Sequence, residues 1–385
     1  MNNFIFQNKT KVYFGKGGVK EYLGCALDQY GEVVMLAYGG GSIKRNGVYD
    51  EVMGILNQKK KRVVEFSGIM PNPTYAKVQE GAALARENHV DLILAVGGGS
   101  VSDCCKIVSA QAMLDEDIWE MQTVKHTYPS KFIPLATIVT VFGTGSEMNN
   151  GAVITHEEKK IKGALFGAQA DVAFLDPEYS MSVPFKQVIS GAFDTLSHAM
   201  ETYFGKPEEN NLSDDINEAV MRSVIRNIRI LLKDENNYEA RSELAWASAM
   251  AENSILKIGK VTDFQAHMME HQLGAYTNCN HGAGLAVIHP VLYRHIYKSG
   301  AARFARFAQN VWGIEAKANE EKTALAGIEA LADFIKEIGL PTTFAELGIP
   351  EDTDLRAVAD STVVTAGCCK KLTHDEIYDI LQECR

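Results

Sequence analysis

The sequence lacks the features that mark several large classes of protein. Its seven cysteines include no CxxC spacing, and such an unpatterned set fits reduced thiols in a reducing compartment. No stretch approaches the roughly 18 uninterrupted apolar residues of a membrane-spanning helix, and the N-terminus lacks the basic start and apolar run of a signal peptide. The net charge of −11 argues against nucleic acid or an anionic membrane surface as the main partner. We therefore expect a cytoplasmic protein that acts on a small molecule.

The order of apolar segments predicts two domains. With 385 residues, 46% of them apolar and 23% charged, the chain is long enough to bury a large core. Over residues 1–180, strand-like runs alternate with amphipathic helical stretches, which is typical of βαβ units and a parallel sheet; residues 4–15 predict a further strand pair. Over residues 181–385 apolar residues recur at helical spacing. We expect a Rossmann-like α/β domain and then an all-α domain, with the active site in the cleft between them.

Five residues in the helical half have the chemistry and spacing of metal ligands. Asp194 and His198 are four residues apart, and so are His267 and His271. On a helix this spacing places two side chains on one face, roughly 5–6 Å apart at Cβ. His281 follows shortly afterwards. An oxygen and nitrogen set of this kind suits Fe²⁺ or Zn²⁺, so we predict one catalytic metal.

Two other interpretations of this region remain open. Cys279 lies two residues before His281 and is a possible thiolate ligand. His267, Glu270 and His271 also spell HxxEH, the inverted zinc-peptidase motif, in which the glutamate serves as base. That interpretation leaves Asp194, His198 and the glycine-rich loops of the first half unexplained.

A predicted buried strand in the first half runs directly into glycines and the predicted start of a helix. Glycine lets the backbone approach a phosphate closely, and a helix N-terminus offers free N–H groups. The alternative is a tight strand-to-helix turn with no ligand. The loop departs from GxGxxG, so it is not the usual dinucleotide fingerprint. The candidates for cradling a pyrophosphate are Gly97, Gly98, Gly99 and Ser100.

Two further loops repeat this composition. In many NAD enzymes an acidic residue near such a strand end binds the ribose hydroxyls and repels a 2′-phosphate. The loop over residues 39–42 has no acidic residue, and Lys44 and Arg45 follow it, which favours NADPH unless they only form a solvated helix start. The loop over residues 140–146 offers hydroxyl donors on Thr140, Thr144 and Ser146. Lys160 could add a positive charge, although a lone lysine is usually a solvated surface residue.

Together these motifs resemble those of the iron-activated, or group III, alcohol dehydrogenases, and most closely their NADPH-dependent butanol dehydrogenase branch. The resemblance spans essentially the whole chain. The motifs occur in order as PNP at 71–73, GGGS at 97–100 with Asp103, GTGSE at 143–147, DP at 176–177, then DxxxH, HxxxH and HG.

This resemblance implies a role for each matching residue. It implies that Asp194, His198, His267 and His281 bind the metal, and that His271 lies near the reacting carbon outside the metal's shell. Lys162 is a rival to Lys160, and a homodimer is expected. The residues implied to hold the phosphates, the ribose and the rest of the cofactor are Gly39, Gly40, Ser42, Asn72, Gly97, Gly98, Gly99, Ser100, Asp103, Thr140, Thr144, Lys160 and Tyr179.

The activity expected from the resemblance is reversible reduction of an aldehyde to a primary alcohol by NADPH. A divalent metal, Fe²⁺ or Zn²⁺, would polarise the carbonyl. The proton could come through His271, a ribose hydroxyl of the cofactor or water. Glycerol dehydrogenases and dehydroquinate synthases share the two-domain plan, but the GTGSE pattern fits the alcohol dehydrogenases better. A zinc hydrolase and a non-catalytic nucleotide-binding protein are the alternatives from other classes.

Overall fold

The structure, a computed structural model, describes residues 2–385. Its contacts divide the chain into two compact units. One unit is Gln7–Pro184, and the other is Phe185–Arg385 together with the N-terminal residues as far as Phe6. Among the described residues, no helix is both long enough and apolar enough to cross a membrane.

The first unit is built on a six-stranded sheet in which every neighbouring pair is parallel. Its spatial order is β1-β8-β5-β4-β2-β3, and β6 and β7 pair separately as an antiparallel hairpin. The parallel sheet confirms the predicted fold class. The strands are β1 Lys11–Phe14, β2 Val33–Tyr38, β3 Arg62–Phe66, β4 Leu92–Gly97, β5 Leu135–Val139, β6 Gly151–His156, β7 Ile161–Phe166 and β8 Val172–Leu175.

Helices cover both faces of this sheet, because its central strands are apolar on both sides. Alternate residues of one strand point to opposite faces, so Leu92 and Leu94 join one core cluster and Ile93 and Ala95 join another. The first cluster includes residues of α1 and α3, and the second includes residues of α4 and α5. The helices of this unit are α1 Gly18–Leu27, α2 Ser42–Arg45, α3 Val48–Gln58, α4 Tyr75–Glu87, α5 Gly99–Gln111 and α6 Ile118–Thr123.

The second unit is helical, as predicted, and has one large apolar core. On α8, Val224 and Ile228 are fully buried, in keeping with the spacing seen in the sequence. Asn211 begins this helix with a capping box that it shares with Asp214. The helices are α7 Phe185–Tyr203, α8 Leu212–Leu231, α9 Tyr238–Glu252, α10 Gln265–Thr277, α11 His281–Ile296, α12 Ala301–Asn310, α13 Glu320–Glu337, α14 Phe344–Leu347, α15 Leu355–Ser361 and α16 His374–Glu383.

Two local predictions need correction. The N-terminal strand pair is wrong: residues 4–10 form no strand, and β1 pairs in parallel with β8, which follows it by about 160 residues. The β6–β7 hairpin was not predicted; its strands mix apolar and polar residues, and its turn is a polar run. Val153 N donates to Asp103 Oδ2 at 2.8 Å and Thr155 N donates to the Pro73 carbonyl at 2.9 Å. The hairpin is thereby joined to α5 and to the turn before α4.

Candidate metal centre and nucleotide-binding loops

Helix α7 supplies the first pair of predicted ligands. Asp194 and His198 lie on consecutive turns of this helix, and their side chains are only 4% and 10% exposed. Nε2 of His198 is 3.8 Å from Oδ1 of Asp194. The i and i+4 spacing therefore places the two side chains together, as expected.

Helices α10 and α11 bring two more histidines to the same carboxylate oxygen. Nε2 of His267 lies 3.5 Å from Asp194 Oδ1, and Nε2 of His281 lies 3.4 Å from it. Asp194, His267 and His281 form a group whose ligand atoms lie within 4.8 Å of one another. Three imidazole nitrogens thus face one carboxylate, and the structure brings together the four ligands implied by the resemblance.

Two glutamates hold the far sides of these rings. Nδ1 of His267 is hydrogen-bonded to Oε2 of Glu201, and Nδ1 of His281 is hydrogen-bonded to Oε2 of Glu270. Glu201 Oε1 also accepts the backbone N–H of Ala266 at 2.6 Å, at the start of α10. Carboxylates in this position fix the tautomer and orientation of a metal-binding histidine. Each Nε2 is therefore directed toward Asp194.

The orienting role of these glutamates was missed by the sequence analysis, although a signal for one of them exists. Glu201 is seven residues after Asp194 and three after His198, so all three share a face of α7. Glu270 was considered only as the base of a peptidase. In the structure its carboxylate is fully buried and accepts from His281, which makes it a structural partner rather than an activator of water.

Burial and neighbouring charges shift the pKa values of the groups in the centre. Burial alone would raise the pKa of Asp194, but His198, His281 and His267 hold it well below its ordinary value. Burial would lower the pKa of His267, but Glu201 and Asp194 raise it to about 10. For His198, burial dominates and lowers the pKa. Asp194 is therefore ionised, and its negative charge stabilises a positive charge placed beside it.

The donor set fits a divalent cation. Asp194 Oδ1 and His267 Nε2 are buried and have no hydrogen-bond partner. An unpaired buried polar atom costs about 1–3 kcal/mol, a cost that a bound cation would remove. Three imidazoles and one carboxylate are ligands that Fe²⁺ and Zn²⁺ both accept. The His281 side chain is 25% exposed, so the centre is most accessible beside this residue.

His271 and Cys279 lie next to the ligand cluster. The His271 ring is 5.5 Å from that of His281 and 5.9 Å from that of His267, measured between centroids. With Glu270 and His281 it forms a second group of ligand-type atoms. Cys279 Sγ donates to Glu270 Oε1 at 3.7 Å, so this thiol contacts an orienting carboxylate.

Close packing of α11 against α7 places His281. Ser190 Oγ donates to Asn280 Oδ1 at 2.5 Å, and the Asn280 side chain caps α11 by accepting from Ala283 N. A Cβ atom on Gly282 would lie 2.2 Å from the Ser190 carbonyl oxygen. Position 282 therefore needs glycine for His281 to come within reach of Asp194.

In the first unit, the predicted nucleotide loops lie at one edge of the sheet. All six strands of this sheet are parallel, so the residues that follow β2, β4, β5 and β8 leave the sheet at its carboxyl edge. From β2 the chain continues outward to β3, whereas from the adjacent β4 it continues in the opposite direction to β5. Ligands of open α/β sheets bind at such a switch point. The loops after Tyr38 and Gly97 flank it.

The loop after β4 is tightly packed. Gly98 precedes α5, and a Cβ atom on Gly99 would lie 2.3 Å from Thr144 Oγ1. Thr140 N donates to the Gly97 carbonyl at 2.9 Å, which joins this loop to the segment after β5. Ser100 lies in the first turn of α5. Gly99 is therefore required by packing as well as by any approach of a phosphate.

The Asp103 carboxylate already has protein partners. Oδ1 accepts from Ser146 Oγ, and Oδ2 accepts from Val153 N. The Lys106 ammonium, which is fully buried, lies 3.8 Å from Oδ1. Asp103 thus holds the segment from Ser146 to Val153 against α5, and its predicted contact with the cofactor remains a prediction.

Three other predicted residues also follow strands. Asn72 has a positive φ of 53° in the turn after β3, and Tyr179 follows β8 and donates to Glu51 Oε2 at 3.0 Å. Lys160 is exposed at the hairpin turn, with φ of 51°, whereas Lys162 is buried on β7 opposite Thr155. The two lysines therefore differ sharply in environment.

The loop after β2 has a neighbour that the sequence pattern did not indicate. Gly39 and Gly40 connect β2 to the short helix α2, which begins at Ser42. No acid is close in sequence, but the structure brings Glu65 of β3 to Lys44, with Nζ and Oε2 3.4 Å apart. The loop itself carries no acid, as predicted, but the neighbouring strand places a carboxylate beside Lys44.

Comparison with known proteins defines the class. The family model for iron-containing alcohol dehydrogenase matches residues 9–177, and the model for the C-terminal region of the Fe-containing alcohol dehydrogenase family matches residues 188–384. The chain belongs to the iron-containing alcohol dehydrogenase family. It is a nicotinamide-dependent oxidoreductase of the alcohol dehydrogenase type with a divalent metal.

Particular relatives resemble the chain over nearly its whole length. It is 36% identical to NADH-dependent butanol dehydrogenase A of Clostridium acetobutylicum, covering 100% of both chains. It is 34% identical to the NADPH-dependent aldehyde reductase YqhD of Escherichia coli, covering 91% of this chain and 90% of the relative. The crystal structure of NADH-dependent butanol dehydrogenase A from Thermotoga maritima superposes with a TM-score of 0.94 at 34% identity, covering 100% and 99% of the two chains.

Proposed function

We propose that this enzyme interconverts short-chain aldehydes and primary alcohols and prefers NADPH to NADH. The observation that carries the proposal is the convergence of three imidazole Nε2 atoms on Asp194, with Glu201 and Glu270 behind two of the rings. The names of the relatives, butanol dehydrogenase and aldehyde reductase, supply the substrate class.

The chain's own residues would hold and orient the reacting groups. Asp194, His198, His267 and His281 would bind the metal, and the partial exposure of His281 leaves access beside it. When bound, the divalent metal polarises a substrate carbonyl and the nicotinamide supplies hydride. The carboxylates of Glu201 and Glu270 would keep the ligand rings from turning. Either Fe²⁺ or Zn²⁺ suits the donors, and metal supply would decide between them.

His271 is the residue of this chain that we propose for proton transfer. It is 5% exposed and stacks on the His281 ring, so it lies beside the ligands without being one of the four. A ribose hydroxyl of the cofactor and water are the rival donors. If His271 carries the proton, His271→Phe should lower kcat about a hundredfold or more while the bound metal is retained. An unchanged rate would assign the proton to one of the rivals.

The cofactor would bind at the carboxyl edge of the sheet. We propose that the region 1–180 binds the nucleotide and that 181–385 supplies the metal centre. Of the two lysines, we propose Lys162 for the contact with the cofactor, because it is buried on β7, whereas Lys160 is exposed at the hairpin turn. The other cofactor residues remain as predicted, with Gly97–Gly99 at the pyrophosphate and Gly39, Gly40 and Ser42 at the adenosine ribose.

We also propose a cytoplasmic homodimer. All seven cysteines are free thiols, which suits a reducing compartment. Phe4, Ile5 and Phe6 form an exposed apolar segment, in which Ile5 is 98% exposed. Such a segment suits burial against a second copy of the chain. Light scattering should give twice the chain mass for the wild type and a larger monomer fraction for Ile5→Asp.

The decisive experiment measures aldehyde reduction by metal-stripped protein before and after addition of Fe²⁺ or Zn²⁺. We expect butanal to be reduced only after a metal is added, with a higher kcat/KM for NADPH than for NADH. Asp333→Ala, a substitution of an exposed acid on α13, should behave as the wild type does. Reduction without metal would reject the proposed centre, and a higher kcat/KM for NADH would reject the cofactor preference.

A further inference from the structure

We propose that Glu65, acting on Lys44, sets how strongly the enzyme distinguishes a nucleotide with a 2′-phosphate from one without it. This inference rests on the proposed nucleotide site. It concerns a residue that lies outside the glycine loops, 24 positions after Gly41, the last glycine of the loop. Lys44 would attract the 2′-phosphate and so favour NADPH. Glu65 would weaken that preference by offsetting the charge of Lys44.

Four side chains define this cluster, which we call the Glu65 cluster: Tyr38, Lys44, Tyr49 and Glu65. Tyr38 Oη donates to Glu65 Oε2 at 2.5 Å, and Tyr49 Oη donates to Glu65 Oε1 at 2.6 Å. The Lys44 ammonium lies 3.4 Å from Glu65 Oε2. It also lies 4.4 Å from the centre of the Tyr49 ring and 5.1 Å from that of Tyr38. The lysine is therefore held by three partners at once.

The cluster surrounds the loop proposed to contact the adenosine ribose. Tyr38 is the last residue of β2, Lys44 lies in α2, and Gly39–Gly41 connect them. Glu65 lies on β3, which pairs directly with β2. The whole cluster is therefore at the carboxyl edge and beside the switch point between β2 and β4, where a nucleotide binds in this kind of sheet.

Charge gives the cluster its direction of effect. Hydrogen bonds from Tyr38 and Tyr49 hold the pKa of Glu65 below its ordinary value, so it is a carboxylate at neutral pH. Glu65 then offsets the charge of Lys44, so this lysine attracts a 2′-phosphate near the loop less strongly than it would alone. Their side chains are 46% and 42% exposed, so both can act on a ligand through solvent. The effect must be moderate, because water screens exposed charges.

A purely structural role would give a different result. If the cluster only joined β3 to α2 and α3, its loss would weaken all adenine nucleotides equally. If it acts by charge, Glu65→Gln should strengthen binding only when the 2′-phosphate is present. Glutamine keeps an oxygen that can accept from a tyrosine, so the geometry is largely preserved.

The test compares two ligands that differ by one phosphate, adenosine 2′,5′-bisphosphate and adenosine 5′-monophosphate. Dissociation constants are measured by titration calorimetry on the full-length, metal-loaded protein. We expect Glu65→Gln to raise the ratio of the two affinities in favour of the bisphosphate by about fivefold, and Lys44→Met to lower it by about fivefold, the size expected for one exposed charge. Glu116→Gln is the matched control, because Glu116 forms a comparable exposed ion pair with Lys125 in the same unit.

The outcomes separate this inference from the proposed function. A ratio unchanged in both variants, or an equal loss for both ligands, would overturn it, and so would failure of the wild type to bind either nucleotide. Because no turnover is needed, normal nucleotide binding with no aldehyde reduction would reject the proposed function alone. If Glu65→Gln does not fold, Lys44→Met decides by itself: a lowered ratio supports the inference, and an unchanged one overturns it.

Discussion

The metal centre and the nucleotide loops are built in different ways. The centre is made of side chains on three helices, and each of two ligand rings is held on its far side by a glutamate. The loops are made largely of backbone, with glycines packed so closely that a Cβ atom on Gly99 would meet Thr144 at 2.3 Å. At the centre, each position needs a side chain of one particular chemistry. In the loops, a position such as Gly99 needs only the absence of a side chain. The two sites should therefore respond differently to substitution.

The largest expected effect is the loss of the metal centre without loss of the nucleotide site. Asp194→Ala removes the carboxylate on which three histidines converge, so the metal should be lost. Aldehyde reduction should fall about a thousandfold or more, since metal stabilisation of developing charge contributes several kcal/mol. Metal content after gel filtration and the steady-state rate are the measurements. Asp333→Ala controls for the loss of an acid, and retention of both metal and rate would show that Asp194 is not a ligand.

The next effect concerns pH and belongs to the helical unit. Burial raises the pKa of Asp263 from its ordinary value of 3.8 to about 7. Between these values the folded protein keeps a proton that the unfolded chain releases, so raising the pH favours unfolding. The stability that this group contributes is fully present below about pH 4 and is lost as the pH rises toward 7. Over this range the equilibrium constant for unfolding rises by up to about a factor of ten per pH unit.

Substitution isolates this contribution. Asp263→Asn cannot ionise, so its free energy of unfolding should depend less on pH between 5 and 7 than that of the wild type. Denaturant unfolding at several pH values measures the difference between the two proteins, which removes the effect of the other titrating groups. Parallel pH curves for the two proteins would show that Asp263 is already ionised when the protein is folded.

A smaller effect should follow from disturbing an orienting carboxylate. Glu201→Gln keeps an acceptor for Ala266 N but weakens the hold on His267, so metal affinity should fall about 10- to 100-fold. Competition with a chromogenic chelator measures it. Glu321→Gln, at an exposed position in the first turn of α13, is the matched control. Equal affinity in all three proteins would leave Glu201 with only a packing role.

The smallest effect should appear in the nucleotide loop and leave the metal untouched. Gly99→Ala introduces a Cβ atom against Thr144, and such overpacking typically costs about 1–3 kcal/mol. We expect a lower melting temperature and weaker NADPH binding with unchanged metal content. At Gly54 a Cβ atom meets nothing within 4 Å, so Gly54→Ala on α3 should be neutral or slightly stabilising. If Gly99→Ala also lost metal, the two sites would not be independent.

The spacing in the sequence predicted the grouping of the candidate metal ligands better than it predicted their surroundings. Asp194 and His198 share a helix, so their spacing alone brings them together. Glu201 shares that face as well, but an acid on a helix is common and its role depends on where α10 begins. The contact between Glu65 and Lys44 depends on the pairing of β2 with β3, which local patterns do not specify. Contacts between segments distant in sequence are thus what residue patterns miss.

The fold of the α/β unit supports the same conclusion. Alternating apolar runs were sufficient to predict the parallel sheet, because strands buried on both faces have few polar residues. They were insufficient for β1, whose partner β8 lies far along the chain, and for the β6–β7 hairpin. For Asp103 the motif predicted contact with the cofactor. The protein partners of its carboxylate became visible only when Ser146 and Val153 were placed beside it.

The four proposed ligands and the two glutamates behind them lie between Asp194 and His281, inside the unit Phe185–Arg385. A metal that binds only the folded form adds to the free energy of unfolding, by about 4 kcal/mol at a thousandfold excess over its dissociation constant. The ion would therefore act as a folding ligand as well as a reagent. Chains made when metal is scarce would unfold and be degraded faster, so the cellular amount of this enzyme would follow its supply of metal.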